Sequence, residues 1–281
     1  MTYWCWTPAV SAAPVHPALQ QGVAHYQAGH YSKAITAFTE AIADPTSRAV
    51  AYSNRCLAQI QLAAYAPAIA DCSLALNLRP ANAEAVLNRG LAHYGRAEYA
   101  AALADFDQAR QLQPDDHRVY YNRGLVQFAQ HRYAQAIADY TQALAVSQLQ
   151  DQHCQAMIHR DRGLAYLANR QLARAIADLD TAIQFEPAVA QSYFNRAQAY
   201  GGQGDFDAAL RDYSQVLALA PEHAPSYYQR GLLQQKLGRL PAAIADFQRA
   251  ARQFRAQGME TAYRRAYLRL ERLASPPTAI G

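Results

Sequence analysis

The sequence predicts an all-α protein, a solenoid of about seven tandem helix–turn–helix repeats with a C-terminal capping helix. Three features support this prediction: an alanine that recurs along nearly the whole chain, a small residue twelve positions before it, and a proline that closes several repeats. The alanine returns every 34 residues, with one longer step of 39, at Ala34, Ala68, Ala102, Ala136, Ala175, Ala209 and Ala243. One such unit cannot bury its apolar face alone, so neighbouring repeats must stack.

Each repeat reads as two helices separated by a short break. In the third repeat, residues 83–96 and 99–112 both carry apolar side chains at helical spacing. The break holds Gly29, Gly204 or Gly238 in three repeats, because glycine tolerates the left-handed conformation that ends a helix. Proline stops the second helix and separates it from the next repeat. It stands at Pro80, Pro114, Pro187 and Pro221.

The small-residue position lets the two helices of a repeat approach closely. It is occupied by Gly22, Cys56, Gly90, Gly124, Gly163, Ala197 and Gly231. Sixteen positions later a large residue is expected to fill the gap to the next repeat, at Phe38, Phe106, Tyr140, Leu179, Tyr213 and Phe247. In the second repeat these two positions hold Cys56 and Cys72. We expect both to pack as small buried side chains rather than to act as redox partners.

The repeat spacing divides the chain into an array at 15–274 and two short ends. The repeats lie near 15–48, 49–82, 83–116, 117–150, 156–189, 190–223 and 224–257. The N-terminal extension, 1–14, contains Trp4 and Trp6 and either packs on the first repeat or is disordered. The tail, 275–281, is expected to be flexible.

The sequence departs from the repeat pattern at two places. Five residues are inserted near 151–155, and we expect a lengthened helix or loop there that re-aims the second half of the array. A capping helix is predicted at 259–273, with Arg residues largely outward. Its inward face is expected to carry Tyr263, Ala266, Tyr267 and Leu270.

Composition and charge exclude several classes of protein. No apolar run is long enough to span a membrane, and the first residues do not resemble a secretory signal. The four cysteines have no zinc-ligand spacing, so we expect a reduced, cytoplasmic protein. The net charge is +4, but seven arginines and two glutamates between Arg249 and Arg272 give that segment alone +5. No catalytic group, metal site or phosphate-binding loop stands out, so we predict neither enzymatic activity nor a cofactor.

The repeat resembles the tetratricopeptide repeat (TPR), whose pattern is matched in the third repeat by Gly90, Ala102, Phe106, Ala109 and Pro114. The resemblance covers roughly residues 15 to 255. It implies a right-handed superhelical solenoid with a concave groove. It is specific for the fold and much less so for the function.

An arginine precedes the small-residue position in six repeats, and an aspartate follows that arginine by sixteen residues. The pairs are Arg55 and Asp71, Arg89 and Asp105, Arg123 and Asp139, Arg162 and Asp178, Arg196 and Asp212, and Arg230 and Asp246. The first repeat lacks both residues, which indicates that the two pair within one repeat. We interpret them as structural ion pairs rather than as a charged ligand site.

One residue before the arginine lies a row of polar side chains. It consists of Asn54, Asn88, Asn122, Asp161, Asn195 and Gln229, flanked by aromatic residues that include Tyr121, Phe194 and Tyr228. The resemblance implies that this position faces the concave groove, where an amide can bond to an extended peptide backbone. The alternative is that each Asn bonds to the neighbouring helix.

The function that follows is a non-catalytic protein–protein interaction scaffold, which binds a peptide or protein segment in the groove. One alternative is nucleic-acid or acidic-partner binding through the Arg-rich C-terminal helix, with nucleic acid the less favoured. A second alternative is a non-catalytic subunit of an enzyme complex. No small-molecule substrate is expected.

Overall fold

Helices account for nearly all of the residues that the computed structural model describes, which are 16–146 and 151–274. No strand occurs in these ranges, and the predicted all-α repeat architecture is confirmed. Trp4, Trp6, the rest of 1–14 and the tail 275–281 lie outside the described residues. The chain divides into an N-terminal unit, Met1–Gln150, and a C-terminal unit, Asp151–Gly281.

The N-terminal unit contains four helical hairpins, one for each of the first four repeats. Its helices are α1 (Pro17–Gln27), α2 (Tyr31–Ala41), α3 (Arg48–Gln61), α4 (Tyr65–Leu78), α5 (Ala83–Gly95), α6 (Tyr99–Leu112), α7 (His117–Ala129) and α8 (Tyr133–Val146). Within this unit the second helix of each repeat packs against the first helix of the next, and the first helices α3 and α5 also touch. The apolar core is therefore continuous from one repeat to the next.

The C-terminal unit contains three hairpins and a last single helix. Its helices are α9 (Gln152–Ala168), α10 (Leu172–Phe185), α11 (Ala190–Gln203), α12 (Phe206–Leu219), α13 (Ala224–Lys236), α14 (Leu240–Ala256) and α15 (Glu260–Ala274). Helix α9 has 17 residues, whereas the first helices of the neighbouring repeats have 13 or 14. Part of the insertion therefore lengthens a helix, while residues 147–150 lie outside the described residues.

Helix α15 packs on α14 through a narrower face than the sequence predicted. Ala266 is fully buried there, with Ala262 and Tyr263 beside it. The prediction that Tyr267 points inward is wrong, because its side chain is 47% exposed. In an α-helix the next residue is turned by roughly 100°, which carries Tyr267 off the contact centred on Ala266. No helix in the described ranges has both the length and the apolar character to cross a membrane.

The large residue of each second helix lies over the small residue of its own first helix. A Cβ atom added at Gly90 would lie 2.7 Å from Phe106, and one added at Gly124 would lie 2.6 Å from Tyr140. These rings therefore close the hairpin itself, and Phe106 also lies in one apolar cluster with Val119 of the next repeat, as expected. The absence of a Cβ is what allows the ring to fit.

The second repeat closes its hairpin differently. Cys56 and Cys72 form a disulfide with a Cα–Cα distance of 5.6 Å, and both residues are fully buried. The prediction of two unlinked packing residues is therefore wrong. The positions are the same ones that bring Gly90 and Phe106 into contact, so two sulfur atoms occupy the place of a ring against a glycine. No free cysteine occurs among the described residues.

The turn between the two helices has a left-handed residue in all seven repeats. Glycine provides it at Gly29, Gly204 and Gly238, as the sequence predicted. The other four repeats use Ala63, Ala97, His131 and Arg170, with φ between 55° and 59°. Each of these side chains costs roughly 1–2 kcal/mol in that conformation. The same turn is therefore formed with or without glycine.

Candidate functional site

Arginine and aspartate pair within the repeat in all six predicted cases. The shortest N–O distances lie between 2.5 and 2.8 Å, and most of the contacts are two-pronged. The Asp side chains are only 6–8% exposed, whereas the Arg side chains keep 16–24% of their surface. A guanidinium fork held by a carboxylate in this way has little capacity left for a ligand.

A further contact of these arginines was not predicted from the sequence. The Nη1 atom of Arg123 donates to Asp107 at 2.7 Å, and that of Arg55 donates to Thr39 at 2.9 Å. Arg196 and Arg230 reach Asp180 and Ser214 in the same way. Each acceptor precedes its arginine by sixteen residues and belongs to the second helix of the preceding repeat. The arginine therefore joins two repeats. The sequence signal for this contact is a polar residue sixteen positions before the arginine.

Tyrosine residues complete the surroundings of the arginines. The guanidinium carbon lies 5.5–6.0 Å from the centre of the ring three residues earlier, at Tyr52, Tyr120, Tyr193 and Tyr227. Cation–π attraction of this kind adds about 0.5–1 kcal/mol at partly exposed sites. Hydrogen bonds to the aspartate also raise the pKa of Arg55 and Arg123. These arginines form a structural frame.

The fifth repeat adds a histidine to this frame. His159 lies 2.9 Å through Nδ1 from Asp178, which also pairs with Arg162. Burial alone would raise the pKa of Asp178, but the hydrogen bonds from Arg162 and His159 hold it below its usual value. The carboxylate is therefore ionised at neutral pH.

The four predicted groove asparagines are buried. Their exposed fractions are 7% for Asn54, 2% for Asn88, 3% for Asn122 and 2% for Asn195. Asn88 donates from Nδ2 to the backbone oxygen of Ser53 in the preceding first helix, at 3.4 Å. In each of the four, one buried amide atom has no hydrogen-bond partner within the part of the chain that the structure describes. For Asn88 the geometry favours the alternative in which the amide contacts the neighbouring helix.

The positions that flank this row differ between the two units. In the N-terminal unit the position directly before the row is closed, since Tyr121 is 8% exposed and Leu87 1%, whereas Leu125 after the row is partly exposed. In the C-terminal unit Phe194 and Tyr228 are only partly buried. The polar residues Asp161 and Gln229 are partly exposed there as well. We call Asp161, Phe194, Tyr228 and Gln229 the half-open face.

Packing behind the half-open face fixes its two aromatic rings. Phe194 makes edge contacts with the rings of His223, at a centroid distance of 5.1 Å, and Tyr213, at 5.8 Å. Tyr228 lies 5.7 Å from Phe247. Burial lowers the pKa of His223, which leaves its ring uncharged at neutral pH. The half-open face therefore combines held aromatic rings with an amide and a carboxylate.

Comparison with known proteins agrees with the repeat geometry. Two models described as tetratricopeptide repeat match the chain, one at residues 117–148 and one at residues 197–266. The chain is a tetratricopeptide repeat protein. No curated protein matches it.

Several solved structures share the fold of this TPR protein. A tetratricopeptide repeat protein from Parabacteroides merdae is 17% identical, with a TM-score of 0.63, over 89% of this chain and 97% of that one. Pseudomonas aeruginosa pilF is 21% identical, with a TM-score of 0.64, over 79% and 95%. YrrB, described as a TPR protein with an unusual peptide-binding site, is 19% identical, with a TM-score of 0.58, over 70% and 97%. At these identities the likeness establishes the fold alone.

Tetratricopeptide repeats support a protein–protein interaction scaffold as the general class of this chain. The fold is typical of non-catalytic proteins, although it does not by itself determine a function. Within the described ranges, no group of three or more His, Cys, Asp and Glu side chains is placed to hold a metal ion. The half-open face is the candidate site for a partner.

Proposed function

We propose that this TPR protein is a non-catalytic scaffold that binds a peptide or protein segment on the half-open face of its C-terminal unit. One observation carries the proposal. Equivalent positions of the repeat are closed in the N-terminal unit, where Tyr121 is 8% exposed, and partly exposed in the C-terminal unit at Phe194 and Tyr228. Partly exposed aromatic rings that are held from behind are typical anchors of protein interfaces.

The chemistry of the half-open face suits an extended or helical segment with apolar anchors. Phe194 and Tyr228 offer ring surface, and their fixed packing reduces the entropy that binding would cost. The side-chain amide of Gln229 can both donate and accept, so it fits a peptide backbone regardless of sequence. Asp161 already pairs with Arg160 at 3.4 Å, so it borders this face without adding an uncompensated charge.

The asparagine row takes two roles in this proposal. Asn88 joins two first helices of the N-terminal unit through its bond to Ser53, and we propose the same packing role for the buried Asn54 and Asn122. Asn195 accepts from Gln191 of its own helix, and its Nδ2 has no partner in the described part of the chain. We therefore assign only Asn195 to the partner side, where a small shift of Gln191 would present its amide.

The test uses a displayed library of unstructured peptides, with selection against the full chain and titration of the selected peptides. We expect the double variant Phe194→Ala/Tyr228→Ala to weaken binding by at least about tenfold. Leu219→Ala is the matched control, because Leu219 is a 38% exposed apolar residue on the second helix of the sixth repeat. Equal affinities for the double variant and the wild type would contradict the proposal.

A second candidate site is supported by the basic face of α15, formed by Arg264, Arg265, Leu268 and Arg272. Leu268 is 51% exposed, and Arg264 bonds to Glu260 at 2.9 Å. Arg265 and Arg272 have no ion-pair partner among the described residues. An exposed leucine between arginines fits an acidic protein segment with an apolar anchor better than a nucleic acid, whose phosphates need no such anchor.

The basic face is tested with an acidic peptide that carries one leucine. Arg265→Ala/Arg272→Ala should weaken binding, and higher salt should weaken it further. If a DNA oligomer of equal charge bound more tightly than the peptide, the acidic-segment assignment would be wrong. Phe194→Ala/Tyr228→Ala should leave this binding unchanged.

The expectation of a cytoplasmic location rested on the spacing of the cysteines, and the Cys56–Cys72 disulfide removes that support. Fractionation of cells that produce the natural chain, followed by detection of the protein in each compartment, would decide the location.

A further inference from the structure

The Cys56–Cys72 disulfide lies at the position where the other repeats close their hairpins by side-chain packing. In repeats one, three, four and seven, a Cβ atom at the glycine would come within 3.0 Å of the ring opposite. In the second repeat the same two positions carry cysteine and the sulfurs are bonded. This repeat has therefore exchanged a packing contact for a covalent one.

We propose that Cys56 and Cys72 are an oxidative modification site, and that the second repeat needs their cross-link to hold its two helices as firmly as the other repeats do. Two unlinked thiols provide less apolar contact across the hairpin than a ring lying against glycine. The bond compensates by limiting how far α3 and α4 can separate. It closes a loop of 16 residues, a span for which cross-linking restricts the unfolded chain appreciably.

The neighbouring ion pair holds the two helices in the arrangement that the cross-link requires. Arg55 precedes Cys56 and Asp71 precedes Cys72, so the ion pair and the disulfide are adjacent links with the same spacing. Arg55 contacts both carboxylate oxygens of Asp71 at 2.7 Å, and Gln59 adds a bond to that carboxylate at 2.9 Å. These bonds fix the register of α3 against α4 and bring the two Cβ atoms into the geometry that a disulfide requires.

The chemistry is a thiol–disulfide exchange with an oxidised disulfide carrier. A thiolate of one cysteine attacks the carrier to give a mixed disulfide, and the second cysteine then displaces the carrier thiol. The two cysteines lose two electrons and two protons in total, and the carrier disulfide becomes two thiols. Because both residues are fully buried in the folded repeat, exchange needs an opened hairpin. The bond therefore forms during folding and persists, which places maturation of the chain in an oxidising compartment.

The test compares the full chain refolded with a disulfide carrier and the same chain kept in reductant. Peptide mapping without reduction should recover one cross-linked product that joins the segments around Cys56 and Cys72. Hydrogen–deuterium exchange should be roughly 100-fold faster in α3 and α4 of the reduced chain. Helices α12 and α14, which belong to the C-terminal unit, serve as the internal reference and should not change.

Two variants separate the cross-link from other effects of reductant, including any effect at Cys154, a buried cysteine in the first turn of α9. Cys56→Gly/Cys72→Phe restores the pair found in repeats one, three and seven, and should make exchange in α3 and α4 slow and insensitive to reductant. Cys56→Ser/Cys72→Ser should exchange fast in both conditions. The proposal is overturned if no cross-linked peptide forms, or if reduction leaves exchange in α3 and α4 unchanged. It also fails if the serine variant exchanges as slowly as the oxidised chain.

Discussion

The first helices of the two units present the same repeat positions in two different ways. In the N-terminal unit, Leu87 and Tyr121 are buried. In the C-terminal unit, Phe194 and Tyr228 stay partly exposed. The same repeat position is therefore closed by packing in one unit and left partly exposed in the other, where we propose that it contacts a partner.

The residues of the C-terminal unit explain why its face stays open. The fifth repeat has Arg160 and Asp161 where the third has Leu87 and Asn88. The sixth has Gln198 where the third has Leu91. Burial of such polar and charged groups between helices would cost free energy unless every one of them found a partner. The closed arrangement seen in the N-terminal unit would therefore be unfavourable for the residues of the C-terminal unit.

The largest expected difference concerns two tyrosines at one repeat position. Tyr121 contacts the ring of Tyr140 and Tyr228 that of Phe247, both at 5.7 Å, but only Tyr121 is buried. We expect Tyr121→Ala to lower the free energy of unfolding by about 3–4 kcal/mol and Tyr228→Ala by about half of that. Urea denaturation of both variants measures the difference. Equal losses would mean that the two units are equally closed.

The ion-pair frame should behave alike in the two units. Asp139→Ala and Asp212→Ala each leave an arginine without its main partner, although Arg123 keeps Asp107 and Arg196 keeps Asp180. We expect losses of about 2–3 kcal/mol in both cases. Denaturation again provides the measurement. A loss confined to one unit would show that the frame, and not only the face, differs between them.

The asparagines should separate the units by a smaller amount. Asn88→Ala removes a contact between two first helices and should cost about 1 kcal/mol, with faster amide exchange in α3 and α5. Asn195→Ala removes only a bond from Gln191 of its own helix and should cost less than about 0.5 kcal/mol. A larger cost at Asn195 would contradict its assignment to the partner side.

Acid should weaken the C-terminal unit through Asp178. Its pKa is depressed in the folded chain, so its contribution to stability is complete above the usual Asp value of about 4 and is lost as the pH falls through the depressed value. Asp178→Asn lacks this contribution at every pH. Denaturation from pH 7 downward should therefore show a gap between wild type and variant that narrows below about pH 4. A gap that stays constant would contradict the depressed pKa.

The sequence alone predicted the structural features that recur from repeat to repeat. The joint absence of Arg and Asp from the first repeat predicted pairs within a repeat, and all six are present. The contacts from these arginines to the preceding repeat were missed, although polar residues such as Thr39 and Asp107 recur at a fixed spacing. The disulfide was missed because Cys56 and Cys72 occupy the positions that hold a glycine and an aromatic ring in other repeats. Their spacing therefore predicted packing and gave no sign of a bond.

Burial of the asparagine row depended on how closely neighbouring first helices pack. Asn88 and Asn195 are both 2% exposed although Leu91 accompanies the first and Gln198 the second, so their burial follows from the packing of neighbouring helices, which a pattern read within one repeat does not contain. For the same reason the position of Tyr267 on α15 followed the helix beneath it rather than its own apolar character.

The most direct test of the proposed scaffold places a photo-crosslinking phenylalanine derivative at position 228 or at position 121 of the full chain in its native cells. Both positions hold tyrosine at the same place of the repeat, and the two side chains differ in exposure. We predict a covalent complex with one partner after irradiation of the position 228 chain and none with the position 121 chain. Absence of a complex at position 228, or equal yields at both positions, would contradict binding on the half-open face.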